Sequence, residues 1–276
     1  MRDPPREPVE VIRPAAGRRF RFALFDFDGT LSLIREGWPD VMVPMMVEVL
    51  APLATGLMPG AVRDLVAEDV AQSTGKQTMY QMIRLAERVR EFGGTPLAPR
   101  AYKAEYSRRL LRHIAARRED LRTGRRRPDE FLLRGARPML EALAARGLLL
   151  CCASGSDQPE VREEADLLDV ARYFGPHVYG ALEDYEASSK ARVIERLIAA
   201  NRIAGEDLVV FGDGFVEIEN AKAVGGYAVA VASDEAAGGG RVNPWKRERL
   251  LRAGADAVVP DFADHAALVR FLFGSA

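Results

Sequence analysis

The sequence predicts an α/β fold, in which helices cover a parallel β-sheet, and two observations carry this prediction. From Gly135 onward, short apolar stretches alternate with stretches of helical periodicity. An earlier apolar stretch, residues 20–25, ends abruptly at the polar and turn-forming segment 26–30. Alternation of this kind, with one strand for each helix, is typical of a parallel sheet with helices on both faces.

The segment between these two parts, from about residue 33 to 132, lacks a strand pattern and carries apolar residues at helical spacing. It therefore predicts a helical insertion after the first strand. Within it, helices are predicted at 44–54, 61–71, 78–92 and 102–117. In the later part, the predicted strands are 148–152, 177–180, 208–211, 227–231 and 257–259, and the predicted helices are 138–146, 160–169, 189–201 and 217–224. Residues 9–12 are a candidate edge strand.

Charge and composition exclude several classes of partner. Lys and Arg number 39 and Asp and Glu number 40, so the formal net charge of −1 favours neither nucleic acid nor an anionic membrane. No run approaches the roughly 18 apolar residues of a membrane helix, and no secretion signal is recognisable. Cys151 and Cys152 are adjacent and cannot link distant segments. We expect a cytoplasmic protein with no nucleic-acid or membrane partner; its oligomeric state is not predicted.

Chemically versatile side chains collect where the predicted strands end. Since ligands bind at the carboxyl edge of an open parallel sheet, these side chains are expected to converge there. They are Asp26 and Asp28 after the first strand, Ser154 and Gly155 after the second, Lys190 at the start of a helix, and Asp213 and Glu217 after the strand at 208–211.

Three of these carboxylates would repel one another unless a cation lay among them. Asp26 and Asp28 flank Phe27 and would point the same way on an extended chain, and Asp213 adds a third negative charge. Hard oxygen ligands without His or Cys favour Mg²⁺ over zinc. The sequence therefore predicts a magnesium site at this edge of the sheet.

The remaining groups suit a phosphate. Lys190, Ser154 and backbone N–H groups near Gly155 offer a positive charge and hydrogen-bond donors that would neutralise a phosphate dianion. Asp26 could then attack phosphorus to form an aspartyl-phosphate, and Asp28 could protonate the leaving oxygen. Each element alone has an ordinary structural explanation, such as a turn, a helix cap or a solvated lysine, so the argument depends on their joint order.

In the order of these elements along the sequence, the chain resembles the haloacid dehalogenase-like superfamily. The segment Asp26-Phe27-Asp28-Gly29-Thr30 matches its first motif, Ser154 the second, Lys190 the third, and Asp213 with Glu217 the fourth. The resemblance implies a Rossmann-like three-layer core with a nucleophilic aspartate. It also implies metal contacts from Asp26, from the Asp28 main-chain carbonyl and from Asp213, with Glu217 acting through water or on the surrounding shell. Thr30 joins Ser154, Gly155 and Lys190 in the predicted phosphate-binding set.

The helical insertion resembles the cap of the phosphoglycolate phosphatase and β-phosphoglucomutase-like subgroup. This implies a Rossmann-like catalytic core over 19–32 and 133–276 and an all-helical cap domain over 33–132. The charged, Pro-rich residues 1–18 are expected to be a leader that could be disordered. Hydroxyl and amide side chains near the start of the third insertion helix suit a sugar or polyol. The candidate substrate contacts are Glu36, Trp38, Thr78 and Gln81. Helix capping by Thr74 or Thr78, with solvated glutamines, is an equal alternative.

The predicted function is a Mg²⁺-dependent phosphatase acting on a small phosphorylated metabolite, with a sugar or polyol phosphate favoured. A phosphomutase of the β-phosphoglucomutase type would use the same motifs and return the phosphoryl group to a bound intermediate. A phospho-receiver or binding module is the alternative from another class, since receivers also combine acidic residues, a hydroxyl and a lysine on a parallel sheet. Their acceptor, however, would not lie in the first strand.

Overall fold

A computed structural model describes residues 9–58, 60–182, 189–201, 204–235 and 240–274. Two compact units make up the chain. One unit combines the residues up to Glu36 with Asp120–Ala276, and the other is Gly37–Glu119. The predicted leader, residues 1–18, lies partly outside the described residues.

The first unit contains a seven-stranded sheet with the spatial order β1-β7-β6-β5-β2-β3-β4. The strand β1 at one edge pairs antiparallel with β7, whereas the other pairings are parallel. The α/β prediction is therefore confirmed, and β1 lies within the candidate edge strand predicted at 9–12. The strands are β1 (Glu10–Val11), β2 (Phe22–Phe25), β3 (Leu149–Asp157), β4 (Val178–Ala181), β5 (Leu208–Gly212), β6 (Tyr227–Val231) and β7 (Ala257–Val259).

Eleven α-helices are assigned within the described residues, of which the first four belong to the insertion. Three of the others had no counterpart in the predictions, namely α7, α10 and α11. The helix α7 has only four residues, and α10 buries only Leu250 on a strongly charged sequence, so neither shows a clear apolar period. The helices are α1 (Pro39–Leu50), α2 (Ala61–Ser73), α3 (Thr78–Glu91), α4 (Pro99–Arg122), α5 (Ala136–Ala144), α6 (Gln158–Leu167), α7 (Ala171–Phe174), α8 (Lys190–Asn201), α9 (Phe215–Ala223), α10 (Pro244–Arg252) and α11 (His265–Phe273).

The strand β3 is longer than predicted, and this changes the description of one motif. Its apolar part ends at Ala153, but the extended backbone continues to Asp157, with a register shift against β4 between Ala153 and Asp157. Ser154 and Gly155 therefore lie inside the strand and not after it. The prediction ended the strand too early because the residues that follow Ala153 are small and polar. Such irregularities often adjoin active sites, where they redirect side chains.

The central strands are buried on both faces, which explains their continuous apolar sequences. Phe25 of β2 stacks on Phe211 of β5 with ring centroids 4.6 Å apart and an angle of 13° between the rings. Cys151 and Cys152 are buried thiols on the neighbouring strand. Burial raises the pKa of Cys151 to about 12, so this cysteine is a packing residue and not a reactive one.

The register of these strands determines which residues meet at the carboxyl edge. Phe25 pairs with Cys152 on one side and with Phe211 on the other. The Asp26 N–H continues the ladder by donating to the Phe211 carbonyl at 2.9 Å. Consequently, the residues just beyond Phe25, Cys152 and Phe211 lie next to one another.

The second unit consists of helices and contains no strand within its described residues. Pro44, expected to start the first helix, lies inside α1. Helix α3 buries Met79, Met82, Leu85, Ala86 and Val89 on one face. Among the described residues, no helix combines the length and the apolar character that crossing a membrane requires.

A pair of glycines with nearly equal backbone angles offers a test of the packing around the sheet. Gly135 (φ 75°) and Gly147 (φ 78°) both adopt the left-handed conformation. A Cβ on Gly135 would lie 1.9 Å from the Phe262 carbonyl oxygen, whereas a Cβ on Gly147 would meet nothing within 4 Å. We expect Gly147→Ala to lower the free energy of unfolding by about 1 kcal/mol, from backbone strain alone. Gly135→Ala should cost at least about 2 kcal/mol more, because the backbone must move. Urea unfolding of both variants measures this, and equal losses would contradict the described packing.

Candidate active site

The loop after β2 is a tight turn that brings Asp26 close to the β5 end. The N–H groups of Leu31 and Ser32 both donate to the Phe27 carbonyl at 2.8 Å. Gly29 has φ 77°, and a Cβ there would lie 2.4 Å from Asp213 Oδ2. Only glycine therefore allows the Asp213 side chain to approach this turn so closely. Thr30, fully buried, donates its hydroxyl to Asp213 Oδ1 at 3.4 Å.

Three carboxylates converge at this point. Asp26, Asp213 and Glu217 each have an oxygen within 4.8 Å of the others. Asp26 and Glu217 are buried, with exposed fractions of 6% and 1%. Glu217 Oε1 accepts a hydrogen bond of 2.6 Å from the Gly214 N–H and thereby helps to cap helix α9. Gly212 leaves room for this side chain, because a Cβ there would lie 2.2 Å from Glu217 Cγ.

Lys190 neutralises two members of this triad. Its Nζ lies 2.8 Å from Asp26 Oδ1 and 3.0 Å from Glu217 Oε2, and the side chain is 5% exposed. Burial raises the pKa of Asp26 well above its ordinary range; Lys190 counteracts this rise, while Glu217 and Asp213 add to it. Burial alone would lower the pKa of Lys190, but Asp26 and Glu217 outweigh it and raise that pKa, so the ammonium stays charged.

A second lysine, which sequence reasoning missed, neutralises the third carboxylate. Lys246 of α10 places its Nζ 2.9 Å from Asp213 Oδ2 and also contacts the Glu235 carboxylate. Burial opposes its charge, but Asp213 and Glu235 raise its pKa. No sequence signal distinguished Lys246 from the neighbouring charges of this helix, which itself was not predicted.

The triad has the composition of a site for a hard divalent cation. It offers carboxylate oxygens and no His or Cys, which suits Mg²⁺ better than zinc. Its burial and mutual repulsion make the charged form costly, and a cation would relieve that cost. The glycines at 29 and 212 provide the space in which these carboxylates crowd together. The residues therefore fit a divalent metal. The predicted contact from the Asp28 main-chain carbonyl stays a prediction.

Asp28 has different partners from Asp26. Its Oδ2 accepts hydrogen bonds from the hydroxyls of Ser154 at 3.1 Å and Ser156 at 2.8 Å. The Ser156 N–H in turn donates to Ser154 Oγ at 3.0 Å. Ser156 was not among the predicted residues. Its position two residues after Ser154, on the same side of an extended chain, was the signal that could have found it.

For the remaining predicted residues, the structure gives a location and no substrate contact. Gly155 lies in β3 between the two serines, and Glu36 is partly exposed in the first unit. Trp38, Thr78 and Gln81 belong to the second unit, and their substrate contacts stay predictions.

The structure decides against the alternative explanation of the polar helix start in the second unit. Gln77 is the N-cap of α3 and makes no side-chain capping bond. The Thr74 hydroxyl donates to the Val70 carbonyl at 3.0 Å in the preceding helix. Gln77 and Gln81 are 6% and 5% exposed, so they are not solvated. Capping by Thr74 or Thr78 with solvated glutamines is therefore wrong.

With this geometry established, comparison with known proteins gives the family. The model of the haloacid dehalogenase-like hydrolase family matches residues 20–225. This chain belongs to the haloacid dehalogenase-like hydrolase family. The matched segment spans the four motifs that the sequence analysis identified. No curated protein sequence matches the chain significantly.

Solved structures of other proteins share the fold of this haloacid dehalogenase-like hydrolase. A predicted phosphoglycolate phosphatase from Haemophilus somnus 129pt is 18% identical, with 91% of this chain and 98% of that chain covered and a TM-score of 0.57. A family hydrolase from Deinococcus radiodurans R1 with bound phosphate and sodium is 19% identical (92% and 96% covered, TM-score 0.55). A predicted β-phosphoglucomutase from Thermotoga maritima is 19% identical (91% and 99% covered, TM-score 0.53). At these identities, the likeness shows the fold alone.

The acidic triad predicts that a divalent cation stabilises this hydrolase. Because a ligand that binds only the folded state stabilises it, Mg²⁺ at 10 to 100 times its Kd should add roughly 1.4–2.7 kcal/mol and raise the Tm. Asp213→Asn should remove most of this increment, since it withdraws one ligand charge. The measurement is thermal unfolding with excess Mg²⁺ and with EDTA.

Asp256→Asn is the matched control. Asp256 is a buried aspartate that, like Asp213, is paired with a lysine, here Lys222 at 2.8 Å, but it does not belong to the triad. This variant should melt at a lower temperature and keep its Mg²⁺ increment. A full increment in Asp213→Asn would show that the cation binds elsewhere.

Proposed function

We propose that this hydrolase is a Mg²⁺-dependent phosphatase that acts on a small phosphorylated metabolite through an aspartyl-phosphate on Asp26. One observation carries the proposal: the Asp26 carboxylate is buried, lies within 4.8 Å of two further carboxylates and is ion-paired with Lys190 at 2.8 Å. A carboxylate so surrounded has little use in stabilising a fold, because its burial raises its pKa and its acidic neighbours repel it.

The charges around Asp26 suit the transfer of a phosphoryl group. Lys190 would offset negative charge on both the nucleophile and the transferring group. Asp26 and Asp213, with the Asp28 main-chain carbonyl, would hold the metal, and Glu217 would orient its shell. The bound cation would neutralise phosphate charge as it grows during transfer. Ser154, Thr30 and the backbone at Gly155 complete the proposed phosphate-binding set.

The proposed reaction has two steps. Asp26 attacks phosphorus, the bond from phosphorus to the ester oxygen breaks, and Asp28 gives a proton to the departing alkoxide. A water molecule then attacks the aspartyl-phosphate, Asp28 accepts its proton, and the bond from phosphorus to Asp26 breaks to release inorganic phosphate. The same carboxyl group thus serves first as general acid and then as general base.

A sugar or polyol phosphate remains the favoured substrate class, and the cytoplasm the proposed location. Glu36, Trp38, Thr78 and Gln81 are the proposed substrate contacts, because their carboxylate, indole, hydroxyl and amide groups can bind sugar hydroxyls.

A phosphomutase is the competing proposal, since it would need the same motif residues, and a predicted β-phosphoglucomutase shares the fold. The phospho-receiver alternative loses its support, because the chain belongs to a hydrolase family.

The deciding experiment measures inorganic phosphate release from a panel of sugar, polyol, nucleotide and short-acid phosphates, with Mg²⁺ and with EDTA. Wild-type protein should release phosphate only with the metal, and Asp26→Asn should abolish turnover, because an amide cannot form the aspartyl-phosphate. Asp207→Asn serves as the control, because the Asp207 carboxylate accepts the Ala204 N–H at 3.1 Å and does not belong to the triad. Full turnover by Asp26→Asn would reject the nucleophile. Slow release that requires a bisphosphate primer would favour the mutase.

Asp28→Asn should separate proton transfer from metal binding. We expect turnover to fall by about 10²- to 10⁴-fold, the usual contribution of a general acid or base. The Mg²⁺ increment in Tm should remain largely intact, because the proposed metal ligand at this position is the main-chain carbonyl. An equal loss of Mg²⁺ affinity would contradict this assignment.

A further inference from the structure

Arg35 is a buried arginine whose guanidinium lies beside the proposed acid and base. The residue is 6% exposed and follows the nucleophile loop in the first unit. Its Nε and Nη2 donate to the two oxygens of Glu164 at 2.9 Å each, and Nη2 also donates to Glu160 at 2.8 Å. The Asp28 Oδ1 atom lies 3.7 Å from Nε. Arg35 therefore links helix α6 to the loop that carries Asp28.

Two glutamates of α6 fix the orientation of this guanidinium. Glu164 is completely buried and forms a two-pronged pair with Arg35, while Glu160 binds from one turn earlier on the same helix. Arginine stays protonated in proteins, and paired hydrogen bonds of this kind set its plane as well as its position. The remaining amino group, Nη1, is thereby directed at Ser156 Oγ, to which it donates at 3.0 Å.

This last bond determines the direction of a hydrogen-bond chain that ends at Asp28. A serine hydroxyl has one hydrogen, so Ser156 accepts from Arg35 and donates its own hydrogen to Asp28 Oδ2 at 2.8 Å. Ser154 likewise accepts from the Ser156 N–H and donates to the same Oδ2. Both hydroxyl hydrogens are therefore committed to one carboxylate oxygen.

The other oxygen of Asp28, Oδ1, differs from Oδ2 in its hydrogen bonding. Oδ1 is buried and has no hydrogen-bond partner among the described residues. Two donors on Oδ2 hold the carboxylate plane, while Oδ1 has the Arg35 guanidinium nearby, with Nε at 3.7 Å. The difference between the two oxygens depends on Ser156, whose oxygen accepts from Arg35 and whose single hydrogen is given to Asp28 Oδ2.

We propose that Arg35 is a positioning residue for Asp28: through Ser156 it orients the carboxyl group that protonates the leaving oxygen. The role rests on the proposed function, in which Asp28 is the general acid. Arg35 itself contacts no substrate in this proposal; it acts on Asp28, through Ser156 and through the ion pair between Nε and Oδ1 at 3.7 Å. The simpler alternative is that Arg35 only attaches the loop to α6, and the two roles predict different kinetics.

The leaving group of the substrate distinguishes these roles. An alkyl phosphate such as glycerol phosphate releases a poor leaving group and needs a well-placed acid, whereas p-nitrophenyl phosphate releases a stable phenolate and needs little protonation. Loss of Asp28 positioning should therefore lower kcat for the alkyl ester more than for the aryl ester. Loss of a purely structural contact should lower both by the same factor.

The experiment compares kcat and KM for both esters in wild type, Arg35→Met, Arg35→Lys and Ser156→Ala. Arg35→Met and Ser156→Ala should each lower kcat for the alkyl ester by about 10- to 100-fold, with less than about a threefold change for the aryl ester. Arg35→Lys keeps the charge but not the fork, so it should recover only part of the loss. The double variant Arg35→Met/Ser156→Ala should be little worse than either single variant, because both break one chain.

Arg137→Met is the matched control. Arg137 is 16% exposed in its side chain and bonds Asp129, Asp169 and the Leu168 carbonyl, so it resembles Arg35 in its bonding but has no link to Asp28. Its substitution should leave the alkyl-to-aryl ratio of kcat unchanged. The Mg²⁺ increment in Tm should be unaffected in every variant.

Each outcome decides the matter. Equal losses on both esters in Arg35→Met and Ser156→Ala, or additive losses in the double variant, would overturn the positioning role. Should Arg35→Met fail to fold because Glu164 is left buried and unpaired, Ser156→Ala decides alone, and an unchanged ratio there rejects the proposal. A wild-type protein that releases phosphate from neither ester, nor from any phosphate of the panel above, would overturn the proposed function and this role with it. A changed ratio in active variants supports both.

Discussion

The crowding of three carboxylates at one edge of a buried sheet is the constraint on which the rest of this structure depends. Asp26, Asp213 and Glu217 come from segments far apart in the chain, and their negative charges repel in a poorly hydrated place. Lys190 and Lys246 offset that repulsion, the first by pairing with Asp26 and Glu217 and the second by pairing with Asp213. Breaking either pair would leave a buried charge without a partner, which costs far more than a surface ion pair contributes.

The sheet supplies the rigidity that this cluster needs. The backbone of Asp26 continues the hydrogen-bond ladder between β2 and β5. Backbone hydrogen bonds, in addition to side-chain packing, therefore fix the position from which its side chain projects. The stacked rings of Phe25 and Phe211 lie directly below, in the dry interior. Gly29 and Gly212 then leave space where a Cβ would collide with the Asp213 and Glu217 side chains. The sheet and the two glycines thus hold the carboxylates close together on rigid backbone elements, as a preorganised site requires.

Two aspartates separated by one residue have acquired distinct electrostatic surroundings. Asp26 faces an ammonium group and two other carboxylates, an arrangement that suits a nucleophile beside a cation. Asp28 instead receives two serine hydroxyls on one oxygen and has Arg35 near the other. Such a separation of environments is how one fold gives two carboxyl groups different tasks. In this chain the separation depends on β3, whose irregular end presents Ser154 and Ser156 together.

The sequence by itself determined the α/β class, the helical insertion and the carboxyl-edge residues Asp26, Asp28, Ser154, Lys190, Asp213 and Glu217. These features depend on local periodicity and on the rule that parallel strands end at one edge, so they can be read from neighbouring residues. Only the tertiary structure decided the contacts of Lys246, Ser156 and Arg35, the length of β3 and the presence of α10. Their contacts join segments far apart in the chain, and a charged or small polar residue looks the same in sequence whether it faces water or a buried carboxylate. Burial and distance, which the chain acquires only on folding, make that distinction.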